Sequence, residues 1–180
     1  MNLDYNRNNL LHYSQYQYNS RHTGAYSQVI PETITNDFII SENTTLERNL
    51  VIEGNVTINE GVQLKVLPQK LITVNGSLNI EGSPQNYISI SGLCKKQTED
   101  YWNSLVFYNR SESNIDFLKL RNSGKGISYN DYGNHRLSNS IIEYNEIALS
   151  LYNSDPVLYS NILRYNSYAG IMLDHNASPV

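Results

Sequence analysis

The sequence predicts an all-β protein, a right-handed parallel β-helix with three short strands in each coil of about 22 residues. Three observations predict it. The first is composition: the 180 residues include 25 Asn, 20 Ser and 15 Tyr but only 4 Ala. Asn and Ser favour turns, Tyr favours strands, and Ala, the best helix former, is scarce. The second is a series of short apolar alternations at period two, broken by Asn or Gly. The third is a longer repeat in the second half of the chain, with copies offset by 21 to 23 residues.

Along the chain, residues 1–32 come first and are polar. They include no apolar run of the about 7–15 residues that a secretory leader needs, and are assigned as a cap or the end of a preceding block. Coils are expected over 33–180. FIIS begins at Phe38 and is followed by NLVIEGN, VTINEG, VQLKVL, LITVNG, SLNIEG and YISISG. Val56-Thr57-Ile58, Val62 to Val66 and Leu78-Asn79-Ile80 each alternate as a half-buried strand does. Gly54, Gly61, Gly76, Gly82 and Gly92 stand between them, suited to positive φ at corners.

Farther on, SIIEYNEIALSLYNSDPV can be laid over SNILRYNSYAGIMLDHNASPV. Tyr144-Asn145 then fall on Tyr165-Asn166, Ala148 on Ala169, Leu151 on Leu173 and Pro156-Val157 on Pro179-Val180. A weaker copy puts Leu120 and Ile127 one period before Ile142 and Leu149. Ile141, Leu149, Leu151, Ile162, Ile171 and Leu173 are the expected interior rungs. Asn145 and Asn166 fall where stacked amides satisfy backbone groups left unpaired by a bend. The leucine-rich repeat, the competing solenoid of similar period, needs a Leu-x-x-Leu-x-Leu frame that is missing. Since LDHNASPV stops within the pattern, the chain reads as a fragment of a longer protein.

Charge and cysteine content narrow the function classes. Thirteen Lys and Arg against seventeen Asp and Glu give a net charge of −4, and only Lys95-Lys96 forms a basic pair. Neither a nucleic-acid surface nor a polybasic membrane anchor is expected. A single Cys excludes a disulfide framework and a Cys-based zinc site, and no apolar stretch is long enough for a transmembrane helix.

From Leu46 to Phe107 the chain resembles the right-handed parallel β-helix repeat proteins of the carbohydrate-binding and sugar-hydrolase type. The matching residues are Gly61 to Leu64, Val74 to Gly82, Ile88-Ser89-Ile90 and Trp102 to Phe107. Trp102 is the most specific mark, while Ser104 replaces the usual Gly and Leu67-Pro68-Gln69 replaces a common corner. The chain is also similar to the large animal cell-surface proteins of the bark beetle type, which carry such blocks at epithelial junctions. These resemblances imply the pectin-lyase-like fold and an extracellular glycoprotein. They also imply a non-catalytic scaffold and interaction surface in an adhesion or junction protein, with protein or carbohydrate partners. Two alternatives stay open: part of a polysaccharide lyase or glycoside hydrolase, and a bacterial or viral surface fibre.

The candidate chemistry is sparse, and no catalytic residue, metal ligand or cofactor is assigned. Asp174-His175 are strand neighbours expected to point to opposite faces. His12, His22 and His135 lack ligand spacing and read as solvated loop histidines. Cys94, beside Lys95-Lys96, reads as a free thiol or one paired outside this chain. Asp131 and Asp155 read as turn acids, with too few oxygens around them for calcium. Sequons occur at Asn43, Asn55, Asn75, Asn109 and Asn176, with Asn43 and Asn109 best placed for glycans if the protein is secreted. Tyr16, Tyr18, Tyr101, Tyr108, Tyr129 and Tyr132 are candidate sugar-stacking rings, although Tyr is equally a strand and corner residue.

Overall fold

The computed structural model describes residues 16–18, 26–92 and 101–180. A two-stranded antiparallel ribbon, β1 (Tyr16–Tyr18) with β2 (Tyr26–Gln28), precedes a parallel β-solenoid of about six turns with three faces. Face 1 stacks β3 (Thr33–Ile34), β6 (Leu50–Ile52), β9 (Leu71–Val74), β12 (Trp102–Phe107), β15 (Ser123–Tyr129), β18 (Ile147–Tyr152) and β21 (Ala169–Asp174). Face 2 stacks β4 (Phe38–Ile40), β7 (Asn55–Ile58), β10 (Ser77–Glu81), β13 (Glu112–Asp116), β16 (His135–Ser138) and β19 (Val157–Tyr159). Face 3 stacks β5 (Thr44–Leu46), β8 (Gln63–Val66), β11 (Ile88–Gly92), β14 (Leu118–Arg121), β17 (Ile141–Glu143) and β20 (Ile162–Arg164).

The alternation in sequence becomes columns in space. Parallel strands about 4.8 Å apart put equivalent residues of successive coils in van der Waals contact. On face 2 the inward column runs Ile40, Ile58, Ile80, Ile115, Leu137. On face 3 it runs Leu64, Ile90, Leu120, Ile142, Leu163. Face 1 contributes Ile52, Val74, Phe107, Tyr129, Leu151 and Leu173. Nearly all are buried, so the core is a narrow shaft filled by branched aliphatic and aromatic side chains. The pairs Leu120↔Ile142 and Ile127↔Leu149 occur as the sequence repeat predicts.

Several expectations need correction. Ile141 and Ile162 are not interior rungs: they lie on the outer side of their strands, and Ile142 and Leu163 take the inward positions. A one-residue error in phase swaps the two faces of a strand. Ala169 pairs with Ile147 rather than Ala148, the extra residue being taken up in the corner that ends at Tyr168, while Leu151↔Leu173 holds. Ile171 and Leu173 follow buried columns yet are 43% and 54% exposed, because no further coil covers them here. Strand length varies along the stack, from two residues in β3 to seven in β15.

Corners are the largest departure. Only Gly61 among the described glycines has positive φ, whereas eleven other residues do. Phe117, Asn139 and Ser160 form one column of left-handed corner residues, and Asn122, Tyr144 and Tyr165 form another. Asn tolerates this conformation, and stacking must hold the rest. Gly76 is required for a different reason. A Cβ there would lie 2.2 Å from the Gly54 carbonyl oxygen, so the absent side chain is what lets two coils touch.

Asn153 has a φ of 48° at a third corner. Asn153→Val is expected to cost about 1–2 kcal/mol, because β-branching is penalised in the left-handed region, and Asn153→Gly about none. Urea unfolding midpoints at unchanged slope check the contrast.

Candidate functional site

A polar concave surface lies along face 2. β10, β13, β16 and the segment leading into β19 each contribute to a groove of about 480 Å³ running across four coils. Asn79, Asn114, Arg136 and Val157 form one row along it, in direct register. Because strand side chains alternate, these residues face outward while Ile80, Ile115 and Leu137 face the core. Glu112 and Asp155 add carboxylates to the lining. The result is a polar trough parallel to the solenoid axis, suited to an extended chain with hydrogen-bonding groups rather than to a compact apolar ligand.

Immediately inside it lies a buried hydrogen-bonded chain that sequence reasoning missed. Ser113 pairs with His135 across two coils, and Ser113 Oγ is 3.1 Å from His135 Nδ1. His135 Nε2 is 2.7 Å from Asp131 Oδ1. Asp131 Oδ2 accepts from the Ser111 N–H and hydroxyl at 2.9 and 3.0 Å, and Oδ1 accepts the Gly133 N–H at 3.1 Å. Burial pushes the Asp131 carboxyl up, but the hydrogen bonds from His135, Gly133 and Ser111 and the charge of His135 outweigh it, so the group sits below its ordinary value. An ionised Asp131 requires a proton on His135 Nε2, while the Nδ1 side of the ring meets the Ser113 hydroxyl.

His135 is therefore no solvated loop histidine, and Asp131 is a turn acid that is buried. The imidazole packs at a tilt against Tyr129 at 4.5 Å and Phe107 at 5.1 Å, and burial pushes the Tyr129 hydroxyl up. The missed signal is the spacing Ser111, Ser113, Asp131, His135, which becomes meaningful only once the coil period is known. The order Ser, His, Asp resembles a nucleophile relay. Ser113, however, lies on the buried side of β13 with Ile115, so its hydroxyl is committed to the core.

Asp131 stabilises the fold above its ordinary value of 3.8, and this contribution is lost as pH falls through the lower folded value. Thermal unfolding from pH 7 downward should therefore show the wild type losing stability more steeply in acid than Asp131→Asn, with the two profiles converging.

Other candidates disperse. At the corner after face 3, Asn145 Oδ1 accepts the Ser123 N–H and hydroxyl at 3.0 and 2.8 Å. Asn166 Oδ1 accepts from Asn145 N and Nδ2, both at 3.1 Å, and Asn166 Nδ2 donates to Ile142 O at 3.1 Å. Trp102 is fully buried and its Nε1–H donates to Arg121 O at 3.1 Å. Asp174 and His175 meet after all, Nδ1 to Oδ1 at 2.9 Å, since His175 turns with φ 53°. Tyr129 is buried, whereas Tyr108 and Tyr132 are exposed and Tyr101 is half-buried.

The sequon amides differ in use. Nδ2 of Asn55, Asn75 and Asn109 donates to Asp37, Glu53 and Asn75 respectively, and Asn43 accepts the Gln63 N–H while its own amide nitrogen makes no bond among the described residues. Asn176 is exposed. His12, His22, Cys94 and the Lys95-Lys96 pair lie outside the described residues, as do the side chains of Tyr16 and Tyr18. Among the described residues no three His, Cys, Asp or Glu side chains gather as a metal cluster, and no helix is long and apolar enough to cross a membrane.

Fold and groove together define a class, the three-faced parallel β-solenoid. Comparison with protein-family models, with curated proteins and with solved structures finds no match for this chain.

Proposed function

We propose that the chain is a non-catalytic scaffold segment of an extracellular adhesion or cell-junction protein, whose stacked coils present an interaction surface to carbohydrate or protein at the cell surface. The observation that carries this reading is the face 2 groove, in which Asn79, Asn114 and Arg136 from three successive coils form one polar row. A solenoid holds such a row rigidly, because each residue is fixed by the backbone pairing of its neighbours. Preorganisation of this kind lowers the ordering cost of binding.

Glycan and extracellular-protein arrays probed with the purified chain test the reading. The expected result is a ligand whose affinity falls about tenfold in an Asn114→Ala/Arg136→Ala double variant, with the melting temperature kept. Binding unaffected by that variant would remove the groove from the account. An axial groove also suits a polysaccharide lyase or glycoside hydrolase. Product release from uronic-acid polymers would establish that alternative and overturn the scaffold reading.

A further inference from the structure

We propose that the outer side of face 3, around Glu143, binds an acidic polysaccharide through its sulfate or carboxylate groups. Sequence reasoning gave no hint of this, because the cations involved are scattered along the chain. Coil stacking gathers them. Arg121, Glu143 and Arg164 form one outward row, with Lys65 and Ser91 continuing it. Arg121 Nη2 is 3.2 Å and Lys119 Nζ 3.6 Å from Glu143 Oε1, and Arg164 Nε is 2.9 Å from Oε2. Glu143 faces outward yet its side chain is only 3% exposed, the three cations covering it.

One carboxylate does not balance three cations, so the cluster keeps an excess of two positive charges in a chain whose net charge is −4. Glu143 fixes the cations in place and leaves most of their donors unused. Arg164 contacts it through Nε and Arg121 through Nη2, while each guanidinium has five N–H groups. Arg121 Nε is buried with no hydrogen-bond partner among the described residues. The Lys119, Arg121 and Arg164 side chains remain 34%, 29% and 45% exposed. At the adjoining corner the Tyr144 and Tyr165 rings stack at 5.1 Å, and the Arg164 guanidinium lies 5.4 Å from the Tyr165 ring. These rings wall one side of the patch and restrict Arg164.

Spacing selects the ligand class. Arg121 and Arg164 stand two coils apart, about 9.6 Å along the axis. Side chains on one side of an extended peptide repeat every ~6.8 Å, out of step with that interval. A duplex nucleic acid calls for a much broader basic surface than a chain of pI ≈ 5.5 carries. A polysaccharide carrying acidic groups along its length can lay those of alternate sugars along the row.

Calorimetric titration of the full chain at low salt provides the test, with heparin as the sulfated probe, polygalacturonate as the carboxylate probe and dextran as the neutral one. Binding of either acidic polymer but not dextran is expected, and the polymer that binds identifies the group recognised. Arg164→Gln and, independently, the loosely held Lys119→Gln should each weaken binding about tenfold, and Glu143→Gln should strengthen it. Lys125→Gln, which removes the same charge from face 1, should leave it unchanged. The proposal is overturned if neither polymer binds, if Lys125→Gln weakens binding as much as Lys119→Gln, or if poly-glutamate binds more tightly than both polysaccharides.

Discussion

Trp102→Ala is expected to destabilise the protein by about 3–5 kcal/mol, the range for deleting a large buried aromatic side chain. Trp102 is the bulkiest of the fully buried side chains among the described residues and opens β12. Its neighbours in the next coil are Ser123 and the Arg121 carbonyl, neither of which can expand into the space. Truncation therefore leaves a cavity and removes the hydrogen bond to that carbonyl oxygen together. Trp102→Phe should recover most of the packing and cost about 1–2 kcal/mol for the lost hydrogen bond. Urea unfolding separates the variants. Similar midpoints for Ala and Phe would show that volume at this corner is unimportant.

Gly76→Ala is expected to cost at least about 1–3 kcal/mol, the usual penalty of overpacking. The added carbon would meet the Gly54 and Glu53 carbonyl oxygens at 2.2 and 2.5 Å. These are backbone atoms that cannot rotate away, so coils must separate locally. Hydrogen exchange should then accelerate at Ser77, whose N–H donates to the Gly54 carbonyl at 3.0 Å. Ser77→Ala, which loses only an exposed hydroxyl bond to Asn55, should stay within about 1 kcal/mol. Equal stability of Gly76→Ala and wild type would refute the close approach of these coils.

The fold was legible because burial enforces alternation. Val56, Ile58, Leu78 and Ile80 must point inward, and their spacing appears in the sequence as period two. The repeat at Leu120, Ile142, Ile127 and Leu149 was legible for the same reason. Corner chemistry was not. Gly54 and Gly76 look like turn residues in sequence, yet they serve interchain-like contact between coils, while Tyr144, Tyr165 and Phe117 take the left-handed corners that propensity assigns to Gly and Asn. Ladder stacking outweighs the local preference there. Phase errors at Ile141 and Ile162 arose because apolar residues occupy both sides of those strands.

Site residues were less legible still. His135 is read as exposed from its neighbours Asn134 and Arg136, but its partner Ser113 lies one coil away, and only the register brings them together. The same holds for Arg121, Glu143 and Arg164, each unremarkable alone. A solenoid assembles its surfaces from residues about one coil apart, so their chemistry depends on knowing the period to within one residue.

That register is the central claim, and a pair of engineered cysteines tests it most directly. With Cys94 replaced by Ser, Asn79→Cys/Asn114→Cys places two outward residues directly opposite each other in adjacent coils, at a separation of about 4.8 Å that a disulfide can span. The pair joins β10 and β13, adjacent strands of face 2. Mild oxidation followed by mass spectrometry should show rapid intramolecular disulfide formation in this variant. Asn79→Cys/Ile115→Cys, with its thiols on opposite sides of the sheet, should remain reduced. The reverse result would place β10 and β13 one residue out of register and contradict the groove.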